Sequence, residues 1–174
     1  MKKFSLGWIP GLFALLAATA FAQSGTPNDA QIAGIVVAAN TVDIDAGKMA
    51  ESKAQSKEVK DFAKRMVTDH TGSNKQASAL AKKLDLKPED SDTSKSLKKA
   101  GKANIDKLKG LKGKDFDKAY VQNEVTYHQT VLDAIDQTLL PNAKNAELKD
   151  LLTKTRPVIA DHLQHAKMIE KSMK

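Results

Sequence analysis

Between Asp29 and Met173 apolar residues recur every three to four positions, and runs alternating at period two are absent. That spacing predicts helices with one buried stripe, and sparse β-branched residues beside abundant Ala, Lys, Leu and Gln agree with it. Four long helices are predicted, over residues 29–52, 57–84, 114–140 and 146–173. Ser56 stands where the second helix needs an N-cap, with Glu58 in the turn that follows. A polar break from Pro88 to Asp92 leads into a shorter, heavily charged segment, 93–109, which contains Gly101. The third long helix is expected to stop before Pro141, and Pro157 to kink the fourth in its second or third turn. Mostly short links predict an all-α, antiparallel four-helix bundle, with the extra short helix between the second and third long ones.

A step of about 100° per residue separates the face that each helix buries from the face it wets. The first helix then buries Ile32, Ile35, Val36, Ala39, Ala46 and Ala50, and Asp43 joins them while Asp45 points away. The second buries Phe62, Ala63, Met66, Ala77, Leu80 and Leu84, with His70 in the middle. In the third, Phe116, Tyr120, Tyr127, Val131, Ala134 and Ile135 form the stripe, and Glu124 and His128 fall near its centre, one turn apart. The fourth buries Leu148, Leu151, Leu152, Val158, Ile159, Ala166 and Ile169, with His162 central and His165 at the edge.

Every long helix therefore turns at least one ionisable side chain inward, near its midpoint. Antiparallel packing would bring Asp43, His70, Glu124, His128 and His162 to one level of the bundle. Ionisable groups buried without partners cost several kcal/mol each, so this layer must be paired. Two readings meet that demand. A metal ion held by imidazole nitrogen and carboxylate oxygen would use all five residues, with His165 peripheral. A metal-free network would hydrogen-bond the same groups to one another and fix the helix register, as in a structural or interaction protein of the cell envelope.

Composition adds an address. Lys2 and Lys3, the apolar run from Leu6 to Ala20, and Ala20-Phe21-Ala22 before Gln23 have the layout of a secretory signal peptide over residues 1–22. Residues 23–174 are then one exported, periplasmic or secreted domain, and losing Lys2 and Lys3 with no acid takes the net charge from +7 to +5. With no cysteine in the chain, that domain must hold together by packing alone. No later stretch is apolar enough to insert stably in a membrane.

Three stretches carry a resemblance. They are EVKDFAKRMVTDHTGSNKQ (58–76), GKDFDKAYVQNEVTYHQTVLDAI (113–135) and RPVIADHLQHAKMI (156–169). They resemble the bacterial exported family known as domain of unknown function 4142, and the resemblance implies a ferritin-like helical bundle. It also implies recurring histidines at His70, His128 and His162 and an acidic position in the first helix near Asp43. The chain departs from a ferritin-type di-iron site, which uses two Glu-x-x-His pairs and two more glutamates. Glu124 and His128 are four apart rather than three, and Ile159 stands three before His162. A site with two central carboxylates and three imidazoles suits zinc, copper, nickel or a single iron better than oxidase chemistry.

Other functions find less support. From Lys95 to Lys114 eight lysines face one acid, Asp106, which reads as a solvated helix; export and the absence of arginine among these cations count against nucleic acid. Asp69–His70 and Asp161–His162 are adjacent pairs whose members diverge around a helix, so neither forms a catalytic dyad of its own. Asp161 and His165, four apart, can pair on the helix flank. No glycine loop for phosphate and no Gly-x-Ser-x-Gly turn is present. The sequence points to metal binding without an assigned enzyme activity, and leaves the metal, protein partners and a homodimer open.

Overall fold

The computed structural model describes residues 25–173; the signal peptide expected over residues 1–22 lies outside them. The described residues form helices throughout, with no strand among them. The elements are α1 (Asp29–Lys53), α2 (Lys57–Lys83), α3 (Asp92–Lys109), α4 (Gly113–Ala134) and α5 (Ala146–Ser172). A π-helical turn, Ile135–Leu139, and a last turn, Leu140–Asn142, prolong α4. All five helices lie within two residues of their expected starts, and α5 runs on through Pro157.

Cross-helix contacts fix the topology. At one end Glu58 of α2 meets Ser172 of α5, and at the other Lys83 pairs with Glu147, so α2 and α5 are antiparallel. The Asp29 carboxylate accepts the backbone N–H groups of Lys144 and Asn145, and Asp117 accepts those of Gln55 and Ser56. These two clamps tie the start of α1 to the end of α4, and the end of α1 to the start of α4. α1, α2, α5 and α4 thus close an antiparallel four-helix ring. α3 runs beside α1 in the same direction: Glu89 N–H bonds Ala30 O at one end, and Lys53 Nζ bonds the carbonyls of Leu108 and Lys109 at the other. It is the single long crossover that ferritin-like bundles use to return the chain between their second and third helices.

Two glycines let this outer layer close in. A Cβ on Gly34 would run into the Glu89 backbone, and one on Gly101 would sit 2.7 Å from a Val42 methyl. α3 covers a second side of α1, where Ala38 is buried, while Asn40 and Gly47 are buried toward α2. Ile32, Ile35, Asp43, Ala46 and Ala50 of the expected stripe are inside, and Val36 and Ala39 are half-buried. Capping boxes start α1 (Asn28 with Gln31) and α3 (Ser91 with Ser94). Asn145 caps α5.

Three expectations are corrected. Ser56 occupies the N-cap position of α2 but makes no side-chain cap; the buried Asp117 carboxylate of α4 instead holds the Gln55 and Ser56 N–H groups just ahead of the helix. The third long helix does not stop before Pro141. Pro141 has no N–H to continue the α pattern, and the chain widens ahead of it so that Leu140 N–H bonds Ile135 O, five residues back. Val158 is 42% exposed rather than buried, and Leu163 takes the inward place on α5.

The core has two apolar clusters with the ionisable layer between them. One gathers Phe62, Met66, Leu108, Phe116, Tyr120 and Ile169; the other Ile32, Ile35, Ile135, Leu139, Leu152 and Ile159. No helix among the described residues is long and apolar enough to cross a membrane.

Candidate metal centre

Each helix of the ring delivers its inward ionisable group where the periodicity places it. Asp43 (α1), Glu124 and His128 (α4) and His162 (α5) are each 1% exposed, and His70 (α2) is 4% exposed. The three imidazoles form a near-equilateral triangle, with ring centres 5.2, 5.4 and 5.7 Å apart. One nitrogen from each lies within 4.8 Å of the others, and Asp43, Glu124 and His128 form a second such trio that shares His128. His165 stays outside: it is half-buried on the flank of the bundle, against the Phe62 ring and 3.5 Å from Arg65.

Each histidine of the triangle has one nitrogen taken. His70 Nδ1 is 2.7 Å from Asn40 Oδ1, and the Asn40 amide is itself anchored on Ser73. His128 Nδ1 is 3.0 Å from the Glu124 carbonyl oxygen, and His162 Nε2 is 2.9 Å from the Asp69 carboxylate. All three partners are acceptors, so each taken nitrogen carries the hydrogen and donates it. The remaining nitrogens, Nε2 of His70, Nε2 of His128 and Nδ1 of His162, are then lone pairs, and all three are buried without a hydrogen-bond partner. Both oxygens of Asp43 and Oε2 of Glu124 share that condition. Asp43 Oδ2 lies 3.1 Å from His70 Nε2 and 3.3 Å from His128 Nε2, yet neither contact has hydrogen-bond geometry.

The electrostatics divide the carboxyls. Burial favours the protonated form of Asp43, but His70 and His128 beside it outweigh this and hold its carboxyl below the usual range. Glu124 has burial and the Asp43 charge acting in the same direction, and its carboxyl rises well above the usual range. Of the two, Asp43 gives up its proton more readily and Glu124 holds its proton longer. Burial pushes the His128 imidazole down, with Asp43 pulling it partly back. It lowers His162 to about 4, with the Asp69 hydrogen bond offsetting only part. Both rings are neutral at pH 7, the form in which imidazole binds a metal.

Asp69 and Asn40 were not among the sequence candidates, and both orient ligand-type histidines. Asp69 also receives Arg65 (3.2 Å), which in turn pairs with Asp161, so Asp161 faces Arg65 rather than partnering His165. Tyr127 borders the site and donates its hydroxyl to Ala39 O. The inward nitrogens of the three histidines and both Asp43 oxygens, five atoms, converge here without a hydrogen-bond partner, an arrangement suited to a cation.

The chain matches the model of the family described as Domain of unknown function (DUF4142) over residues 14–169, and it belongs to that family. No curated protein and no solved structure matches it.

Proposed function

We propose that this member of the family binds one divalent transition-metal ion through Nε2 of His70, Nε2 of His128, Nδ1 of His162 and the Asp43 carboxylate. Glu124 is the protonated acid beside Asp43, and His165 takes no part. One observation carries the reading: the three outward nitrogens are held by acceptors while the three inward ones are buried and unpartnered. Imidazole ligands are oriented for metals in this way, with the far N–H on a carboxylate or carbonyl. A metal-free network in which ionised Asp43 accepts from His128 would need a hydrogen on His128 Nε2 as well. The Glu124 carbonyl already claims Nδ1–H, so the ring would be a buried imidazolium, which its lowered pKa opposes.

Geometry adds support. Bonds of 2.0–2.1 Å at tetrahedral angles set ligand atoms about 3.4 Å apart, close to the two Asp43–histidine separations of 3.1 and 3.3 Å. The histidine nitrogens would draw together by at most about 1.4 Å from their present limit of 4.8 Å. Three imidazoles and one carboxylate accept zinc, copper, nickel or a single iron. The role that fits a fully buried centre is to hold the ion, for storage, sequestration or sensing. We also propose export, on the layout of residues 1–22, for which the mature N-terminus is the check.

The test is elemental analysis of untagged protein purified without chelator, beside the His128→Ala/His162→Ala double variant. The expected result is one metal ion per chain in the wild type and none in a variant that still folds. Equal metal in both proteins, or none in the wild type after incubation with each of the four ions, would overturn the reading.

A further inference from the structure

Beside the histidine triangle, toward the end of the bundle that holds the π-helical turn, lies a partly enclosed cavity of about 40 Å³. Its inner wall is Asp43, His70 and His128, and the rest is built chiefly from aliphatic side chains, among them Ile35, Ala39, Val131, Ile135 and Leu139. Every residue lining it is buried or half-buried. The polar side chains along this wall, outside the triangle and Asp43, are already committed. Tyr127 donates to Ala39 O, Thr155 to Leu151 O, and Asn40 holds His70 and Ser73.

Room and chemistry together define the occupant. A water needs roughly 10–15 Å³ of such space, so the cavity of about 40 Å³ has room for about three waters or one small molecule. Water also needs two to four polar partners; the free acceptors of Asp43, His70 and His128 are the ones the proposed ion would occupy, and the aliphatic part of the wall offers none. An ion or a polar metabolite would meet the same objection, and most would not fit. A neutral molecule of two atoms fits both the size and the dryness. One side of the chamber is the face of the centre proposed above, so such a molecule would rest within reach of a bound ion.

We propose that the chamber is a binding site for a neutral diatomic gas, dioxygen or nitric oxide, delivered to the ion held by His70, His128, His162 and Asp43. This rests on the metal reading, and makes the protein a holder of gas at a metal rather than of metal alone. The chamber does not need the ion, whereas the gas's anchor does, and that separates the two ideas experimentally.

The experiment uses cobalt(II)-loaded protein and two probes: xenon under pressure, located in crystals, and nitric oxide, followed through the cobalt absorption bands. Ala39→Val and Val131→Leu fill the chamber from different helices, so one still reports if the other packs badly. Cobalt content is measured in every sample. The expected result is one xenon in the chamber of the wild type and a change in the cobalt bands with nitric oxide. The filled variants should keep their cobalt, lose the xenon and respond to nitric oxide at least tenfold more weakly. Cobalt retained with no xenon in the wild type, or with a nitric oxide response that filling leaves unchanged, would overturn the chamber and leave the metal reading standing. Failure of the wild type to hold cobalt, or any of the four ions above, would overturn both.

Discussion

The layer around Phe62, Phe116 and Tyr120 and the layer around Asp43, His128 and His162 are buried to the same degree, at 0% and 1% exposure respectively. In the first, Phe62 meets Tyr120 edge-on at 6.3 Å and Phe116 stacks on Tyr120 at 6.4 Å. Burial of such rings is favourable in proportion to the area taken from water, offset in part by the Tyr120 hydroxyl, which is buried without a hydrogen-bond partner. In the second, the same burial works against every charged form and leaves lone pairs facing one another. The apolar layer therefore stabilises the bundle unaided, and the polar layer draws on that stability until something binds there. Equal burial makes one layer a scaffold and the other the place where the proposed ion would be held.

The largest expected effect breaks the scaffold. Phe62→Ala removes a fully buried ring and should cost about 3–5 kcal/mol. In a domain of this size that lowers the melting temperature by about 6–20 °C. The drop should be the same with a chelator and with a saturating divalent ion, because Phe62 belongs to the apolar cluster and its ring meets Tyr120 and His165, neither a proposed ligand. Melting curves under both conditions check it. A drop confined to the metal-loaded protein would show that the two layers are not separable.

Acid should act on the other layer. His162 has its folded pKa depressed from 6.5 to about 4, so between those values the unfolded chain binds a proton that the folded one refuses. Unfolding is then favoured as pH falls, and the contribution, complete above pH 6.5, is lost on the way down to pH 4. For the metal-free protein the full shift amounts to about 3 kcal/mol. A bound ion competes with that proton, so the metal-loaded protein should hold its stability to lower pH. Denaturant titrations at pH 7, 5.5 and 4.5, with and without metal, measure it. A metal-free protein whose stability stays flat over this range would count against a neutral, buried His162.

The polar layer was legible because a helix interior is read by azimuth. Asp43, His70, Glu124, His128 and His162 all fall in stripes of period 3.6, and the ring of four helices closes around them. What azimuth does not tell is which neighbour arrives at a stripe's edge. Asp69 diverges from His70 by about 100° on α2, as the sequence indicates, but that turn points it at the groove where α5 brings His162. Asn40, three residues before Asp43, sits on the first helix's inward side, and a polar residue there was a usable signal. The even spread of apolar residues along α1 likewise foreshadowed its two-sided burial under α3. The π-helical turn had no such trace: Pro141 marks where the α pattern must fail, while the packing of Ile135 and Leu139 decides how.

The smallest expected effect is the most discriminating, because it changes the polar layer without touching its ligands. Asp69 is one-third exposed and holds His162 from outside, so Asp69→Asn keeps an acceptor near Nε2 and removes only its charge. If the layer is a metal site, the less polarised imidazole is a weaker base, and metal affinity should fall about tenfold, the lower end of the range for such partners. Melting of the metal-free protein should move little, since a third-exposed pair contributes on the order of 1 kcal/mol or less. If the layer only sets helix register, the order reverses: stability changes and metal affinity has no meaning. Competition titration against a chromogenic chelator gives the affinity, and Asp161→Asn, 63% exposed and bound to Arg65 alone, is the control that should leave it unchanged. An affinity equal to the wild type's in Asp69→Asn would remove the ligand role from His162, since no imidazole held by this carboxylate could bind a metal and be indifferent to its charge.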